Sequence, residues 1–328
     1  MSKIMGYMGF LCFFFLFGCT CISIPSFVQP VRPLEEQVIQ GKGPGKILLV
    51  DISGTISEKR KSKGIGLTEE MSMVERIKEE LNKAESDQAI AGLILRINSP
   101  GGTVTASDII YHEICEFKKR TGVKVIASFL DIAASGGYYV ACAADRIIAH
   151  PTTITGSIGI IAFKFNIQGL LSKIGVKEES IKAGDKKDLM TPFRAATAEE
   201  REIMQTIINN LHQRFIDVVE QGRPSLTREE IERIADGRVF SAEQALDMKL
   251  IDQIGYLDDT IHDMKQELGL KEATVIAYLR PGDYKGTIYS ANTTTSHSSF
   301  DLLAIDRKGL VLSQDVRFMY LWMHALAP

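Results

Sequence analysis

Four short apolar runs decide what this chain can become. Ile47 to Ile52, Ala89 to Ile97, Val123 to Phe129 and Arg146 to Ala149 are too short for core helices and lack an apolar–polar alternation. Such runs fit strands buried on both faces, as in a parallel sheet. Helical patterns lie between them. Thr68 is expected to open one helix, with Met71, Val74, Ile77 and Leu81 on one face. Ser107 is expected to cap another that carries Ile109, Ile110, Ile114 and Phe117. Further on, Thr197 with Glu200, Thr227 with Glu230 and Ser241 with Gln244 form capping boxes. The first opens a long amphipathic helix reaching about Gln221. Between these parts, residues 153–161 form a β-rich stretch broken by Gly156 and Gly159, residues 166–175 a short helix, and residues 179–183 a short strand. Repeated strand–helix units predict an α/β fold with a largely parallel sheet.

The two ends read differently. Residues 1–24 form an almost wholly apolar segment after Lys3, without charge from Ile4 to Ile24. That approaches the ~20 apolar residues that span a bilayer and also suits a signal peptide. Leu16-Phe17-Gly18-Cys19 is similar to a lipobox, which would place a lipid on Cys19. Either way the rest of the chain is expected at the cell envelope. Residues 25–45, with Pro25, Pro30, Pro33 and Pro44, read as a spacer. Residues 46–280 then form the main domain. Residues 281–328 form a tail: a polar, turn-rich linker to residue 300, then an apolar end, Phe318 to Trp322. That end either packs on its own domain or reaches a neighbouring subunit.

Composition excludes several functions. The net charge of −3 carries no nucleic-acid footprint. Three of the five cysteines lie in the N-terminal segment, which leaves Cys115 and Cys142 in apolar helical patterns and no metal-ligand spacing. The six histidines are scattered. No metal and no cofactor is expected.

The chemistry centres on the stretch from Leu130 to Asp145. A strand pattern runs into Ser135-Gly136-Gly137, and a helix rich in small residues follows. A serine there can be a helix cap, or a nucleophile beside free backbone N–H groups that could stabilise an oxyanion. A nucleophile needs a base. None of His112, His150 and His212 has an acidic partner at a strand end, although a Ser-His-Asp triad is recognised by geometry and stays open. Lysine is the other option. Its ordinary pKa near 10.4 requires desolvation before it can act as a base. Lys186 and Lys187, on a turn opened by Gly184, can equally be a solvated surface pair.

Six segments in order carry a resemblance. They are Arg96 to Gly102 (RINSPGG), Ala134 to Asp145 (ASGGYYVACAAD), Thr153 to Gly159 (TITGSIG), Gly184 to Asp188 (GDKKD), Gly237 to Ala245 (GRVFSAEQA) and Leu250 to Gly255 (LIDQIG). Across roughly residues 46–270 the chain resembles the signal peptide peptidase A (SppA) family, membrane-anchored serine peptidases of bacteria and related organelles. The resemblance implies a Clp-protease/crotonase-like fold and a Ser-Lys dyad. Ser135 would be the nucleophile and Lys187 the general base. Ser157 would hold the lysine amine, and the Gly102 and Gly136 amides would form the oxyanion hole. The family often has an aromatic residue just before the dyad lysine, where this chain has Lys186. Lys187 remains the choice, from its spacing and its place before Asp188. The resemblance also implies apolar peptide substrates such as cleaved signal peptides, a homo-oligomeric ring with sites built between subunits, and an inner-membrane anchor with the domain on the extracytoplasmic side. Two alternatives are a crotonase-like acyl-CoA enzyme and a non-catalytic membrane-tethered scaffold.

Overall fold

The computed structural model describes residues 32–63, 68–290, 303–306, 309–312 and 318–322. The expected membrane segment 1–24, with Cys19, lies outside them. Among the described residues no helix is long and apolar enough to cross a membrane.

In chain order the elements are β1 (Glu35–Gln40), β2 (Gly45–Ser53), β3 (Lys61–Lys63), β4 (Thr68–Glu70), α1 (Met73–Glu85), β5 (Ile90–Ser99), β6 (Gly101–Thr103) and α2 (Val104–Thr121). Next come β7 (Lys124–Ala134), α3 (Gly136–Ala141), β8 (Arg146–Ala149), β9 (Ile154–Gly156), β10 (Ile161–Ala162), α4 (Gln168–Lys173) and α5 (Ala198–Gly222). The last are α6 (Arg228–Ile234), β11 (Val239–Ser241), α7 (Ala242–Asp247), β12 (Gln253–Ile254), α8 (Leu257–Glu267), β13 (Ala273–Leu279), β14 (Leu303–Asp306), β15 (Gly309–Leu312) and β16 (Phe318–Leu321). The chain divides into two units. The described part of the smaller is the β3–β4 antiparallel hairpin; all other elements belong to the larger.

The main sheet runs β1-β13-β2-β5-β7-β8-β12, with β9 against the end of β7 and β11 against β9. The pairings are parallel except at β1–β13 and β11–β9. Leu48, Val50, Leu93, Leu95 and Ala127 face one core layer with Ile110 and Phe117 of α2 and Phe215 of α5. The alternate residues Ile47, Leu49, Ile94 and Ile126 face the other, with Leu257, Ile261 and Met264 of α8. Burial on both faces accounts for the unbroken apolar runs. Each fully buried aliphatic side chain contributes about 1.5–3 kcal/mol.

Helix starts follow the strongest local cap. α1 begins at Met73 and not at Thr68, because Ser72 and Glu75 close a capping box while Thr68 pairs in β4. α2 begins at Val104, capped by Thr103, and Ser107 bonds back to the Thr103 carbonyl at 3.0 Å from inside the helix. The boxes at Thr197, Thr227 and Ser241 form as expected. Residues 179–183 are not a strand; Ile181 is fully exposed there, and among the described residues no strand pairs with the segment.

The segments read as spacer and linker are partly built into the domain. Glu35–Gln40 has no proline or glycine and pairs antiparallel with β13 as the sheet's edge strand. Residues 281–290 are fastened by charge. Lys285, 3% exposed, pairs with Asp51 of β2, 2% exposed. Asp51 also accepts from Arg96 of β5 at 2.5 Å. Arg96 in turn donates to the Ile288 carbonyl and, at 2.6 Å, to the Ser290 carbonyl. Burial pushes the Lys285 amine below its ordinary range and the nearby Glu80 carboxyl above its own. Removing one partner of a buried pair leaves the others uncompensated, at about 3–5 kcal/mol. Asp51→Asn should therefore lower unfolding stability by about that much in urea titrations, and residues 281–290 should become the first site of proteolytic nicking.

Candidate active site

The site begins with a bend in β7. Ile97 pairs with Phe129, but Ser99 pairs with Ala133, so β7 uses four residues where β5 uses two. The side-chain carbonyl of Asn98 accepts from the Ile132 amide at 3.2 Å inside this irregularity. Beyond it β7 leaves β8 and pairs with β9, Ala134 opposite Gly156. The Ser135 N–H donates to the Gly156 carbonyl at 2.7 Å. α3 starts at the next residue.

This junction holds Ser135 at φ 53°, ψ −115°. A non-glycine residue at positive φ costs about 1–3 kcal/mol and persists only where its surroundings impose it. Ser135 is buried, and its side chain makes no capping hydrogen bond. The helix-cap reading is therefore excluded. Ser157 follows the residue paired with Ala134 and has the same backbone sign, φ 51°, with its N–H donating to the Arg238 carbonyl at 2.7 Å. The two serines thus leave adjacent, paired strands at equivalent turns.

The glycine pairs meet at the same place. β6 crosses the start of α3 so closely that a Cβ on Gly136 would lie 3.1 Å from the Gly102 amide nitrogen and 2.5 Å from Ser107 Oγ. A Cβ on Gly102 would lie 1.9 Å from the Ile56 carbonyl oxygen. Glycine is required at both positions by backbone and side-chain contacts from within the protein, in addition to any approach by a substrate. Ser99 fixes the turn before β6: its hydroxyl donates to the Gly54 carbonyl at 2.7 Å and accepts from the Gly101 amide at 3.1 Å.

An aromatic pocket adjoins. Tyr139, one turn beyond Ser135, packs between Tyr111 of α2 and Phe215 of α5, with ring centroids 5.5 and 5.0 Å away. Its hydroxyl donates to Asp108 at 2.5 Å, and Arg214 also binds Asp108, at 2.9 Å. In the sequence Tyr139 stands within the Ala134 to Asp145 motif with nothing to mark a role. Its spacing of four from Ser135 on a helix was the available signal.

The expected base is not joined to this cluster. Lys187 is exposed, on the turn where its N–H donates to the Gly184 carbonyl at 3.1 Å. Among the described residues its amine has no hydrogen bond to Ser135 or Ser157. Lys186 is committed to an ion pair with Glu199. Around these lysines Phe165, Leu170, Ile174 and Ile181 are all more than half exposed, so residues 163–183 do not pack into the core of their own chain. The histidine alternative gains nothing: His150 pairs with Thr152 Oγ1 at 2.8 Å, and among the described residues no histidine bonds a carboxylate.

The Lys187 turn is nevertheless tied at its base. Asp188 binds Lys182 at 2.5 Å and Arg194 at 2.9 Å. Arg194 also binds Glu200 at 2.5 Å, and Glu200 caps the Thr197 amide at 2.9 Å. The Arg194 guanidinium and then the Thr197 amide hold the Glu200 carboxyl down at about 2.

Comparison with known proteins decides the family. The model of peptidase family S49 matches residues 117–271, and that of Clp protease matches residues 50–156. A protein named as a candidate signal peptide peptidase SppA in Enterococcus faecium is 35% identical over 74% of this chain and 70% of its own length. The chain belongs to peptidase family S49. Its fold is the Clp-protease-like α/β fold, and its relatives include proteins named as a peptidase, as proteases and, in one case, as a serine protease. The chloroplastic serine protease SPPA of Arabidopsis thaliana is 34% identical over 73% of this chain and 35% of its own length. Protease 4 of Haemophilus influenzae is 33% identical over 71% and 36%. The chain thus spans about a third of these two longer relatives. Among solved structures, a point mutant of ClpP1 from Listeria monocytogenes is similar at 20% identity over 64% of this chain and 92% of that one, with a TM-score of 0.42.

A carboxylate whose folded pKa is depressed stabilises the fold above its unfolded value and loses that contribution as pH falls through the folded one. Lowering pH from 5 to 2 should therefore begin to protonate Glu200 and loosen its bond to Arg194, while Asp188, held lower still by Arg194 and Lys182, keeps its own. Protection from hydrogen exchange at residues 182–197, taken relative to the intrinsic rate at each pH, should fall over that interval, well before the Phe215–Val219 part of α5 opens.

Proposed function

We propose that this S49 protein is a Ser-Lys endopeptidase that cuts apolar peptides, such as signal peptides left in a membrane after secretion. Ser135 is the nucleophile and Lys187 the general base. Ser157 steadies the lysine amine. The Gly102 and Gly136 amides receive the oxyanion. The observation that carries the reading is Ser135 itself, strained to positive φ with no capping bond, next to two close glycine amides.

In this mechanism Ser135 Oγ attacks the scissile carbonyl carbon. Lys187 takes the hydroxyl proton and passes it to the leaving amine as the peptide C–N bond breaks. Water then hydrolyses the acyl-serine by the same route in reverse. Preorganised amide donors are worth ~10²–10³ in rate each. A lysine must be desolvated to serve as the base at neutral pH, and Lys187 is exposed in the isolated chain. The reading therefore includes assembly. A neighbouring copy covers the apolar 163–183 segment and brings a lysine turn into a water-poor site, in a ring tethered at the envelope by residues 1–24. Membership of a peptidase family weighs against the acyl-CoA alternative.

Ser135→Ala and Lys187→Ala should each lower kcat on an apolar peptide by at least 10³-fold, while Lys186→Ala keeps turnover within a few-fold of the parent. Loss of turnover on Lys186→Ala with retention on Lys187→Ala would move the base by one residue. Full turnover without Ser135 would overturn the mechanism.

A further inference from the structure

Residues 54–58, which follow β2, lie along residues 98–103 like a short extra strand. The Gly54 N–H donates to the Asn98 carbonyl at 2.9 Å, and Ser99 Oγ donates to the Gly54 carbonyl at 2.7 Å. The Ile56 N–H donates to the Gly101 carbonyl at 2.9 Å, and the Thr103 N–H donates to the Ile56 carbonyl at 3.0 Å. Ile56 and Gly102 thus form a parallel bridge. The far end is closed by side chains: Thr103 Oγ1 donates to the Glu58 carboxylate at 2.6 Å.

One of these bonds governs an amide proposed for the oxyanion hole. The Gly101 carbonyl and the Gly102 N–H belong to a single peptide unit, planar and trans, so they point in opposite directions. Whatever holds the carbonyl aims the N–H. The unit is flanked by two glycines, with Gly101 at φ 100°. Without Cβ atoms on either side it rotates at little steric cost, so its direction has to be imposed. Ser99 Oγ lies 3.5 Å from the Gly101 carbonyl, but it gives its proton to Gly54 at 2.7 Å. The Ile56 N–H is the close donor. With the carbonyl held there, the Gly102 N–H faces away from Ile56. The Gly136 amide nitrogen, the other proposed donor, lies 2.7 Å from where a Cβ on Gly101 would stand.

Ile56 is fixed in turn from two sides. Its own side chain is fully buried. Two residues on, Glu58 fastens the segment to Thr103, which directly follows Gly102 and caps α2. A hydroxyl–carboxylate bond of this kind is charge-assisted and about twice as strong as a neutral one. Beyond it Arg60 pairs with Glu75 at 2.7 Å, and Glu75 closes the capping box of α1.

We infer that Glu58 is a positioning residue for the oxyanion hole. Through Thr103 it keeps the Ile56 amide on the Gly101 carbonyl, and so keeps the Gly102 N–H aimed at the developing oxyanion. This role rests on the proposed functions of Ser135 and Gly102. It confines the effect of Glu58 to the transition state, because a ground-state peptide places no negative oxygen on that amide.

The test uses full-length protein, an apolar peptide substrate and the matching peptide boronic acid, whose boron takes Ser135 Oγ as a fourth ligand and mimics the tetrahedral state. Glu58→Ala should lower kcat about ten-fold, less than the ~10²–10³ lost with a whole donor, and leave KM within about two-fold. It should weaken boronate inhibition by the same factor as kcat. In a Ser135→Ala background the uncleaved peptide should bind equally well with and without Glu58→Ala. Glu58→Gln keeps an oxygen acceptor for the Thr103 hydroxyl and should hold kcat within about three-fold of the parent. Thr103→Val removes both the donor and the α2 cap, and a double-mutant cycle separates the two: Glu58→Ala added to Thr103→Val should change kcat by less than about two-fold. Unchanged kcat and boronate affinity in Glu58→Ala, a higher KM with weaker peptide binding, or an equal effect of Glu58→Ala with and without Thr103→Val would each overturn the inference. Failure of the peptidase reading would appear separately, as a parent protein that neither cleaves the peptide nor binds the boronate.

Discussion

The hydrogen bond from the Ser135 amide to the Gly156 carbonyl ties together most of what matters here. It continues the short parallel pairing of β7 with β9 one residue past the end of β7. In doing so it locks a serine into a backbone conformation that serine avoids. The same pairing sets Ser157 beside it and pulls α3 under β6, where Gly102 and Gly136 meet. The irregular register between β5 and β7 is what frees the end of β7 to change partners. A β7 that ran straight would continue along β8 and aim Ser135 elsewhere.

Much of the fold was legible because its sheet is buried on both sides. Ile47 to Ile52 and Ala89 to Ile97 could hardly be anything but inner strands, and the capping boxes at Thr197, Thr227 and Ser241 are local chemistry that needs no tertiary context. The misread helix starts at Thr68 and Ser107 had the same cause: a plausible cap was preferred over a better one, Ser72 with Glu75 in the first case and Thr103 in the second. Residues 35–40 and 281–290 escaped because distant partners supply their order. The edge of β13 lies far along the chain, and the Asp51–Arg96–Lys285 cluster joins residues more than 200 positions apart.

The site was legible in its residue types more than in its reasons. Ser135, Ser157, Gly102 and Gly136 do come together. Positive φ at two serines, however, has no signature in composition, and the glycines are demanded by the Ile56 carbonyl and Ser107 as much as by a ligand. Tyr139 and Phe215 were hidden because an aromatic pocket built from two helices looks, in sequence, like ordinary core. Of the apolar end, Phe318–Leu321 packs on its own domain between β10 and β6. Lys187 is the remaining distance in the account. Its amine and the apolar segment around it are both exposed, and under the proposed reading a neighbouring copy would cover them.

Covalent labelling of the full-length protein by a serine-directed fluorophosphonate, with the adduct located by peptide mass spectrometry, tests the central claim most directly. A single adduct on Ser135, absent from Ser135→Ala and lost in Lys187→Ala, is the predicted result. Labelling that persists in Ser135→Ala, or that ignores Lys187, would contradict it.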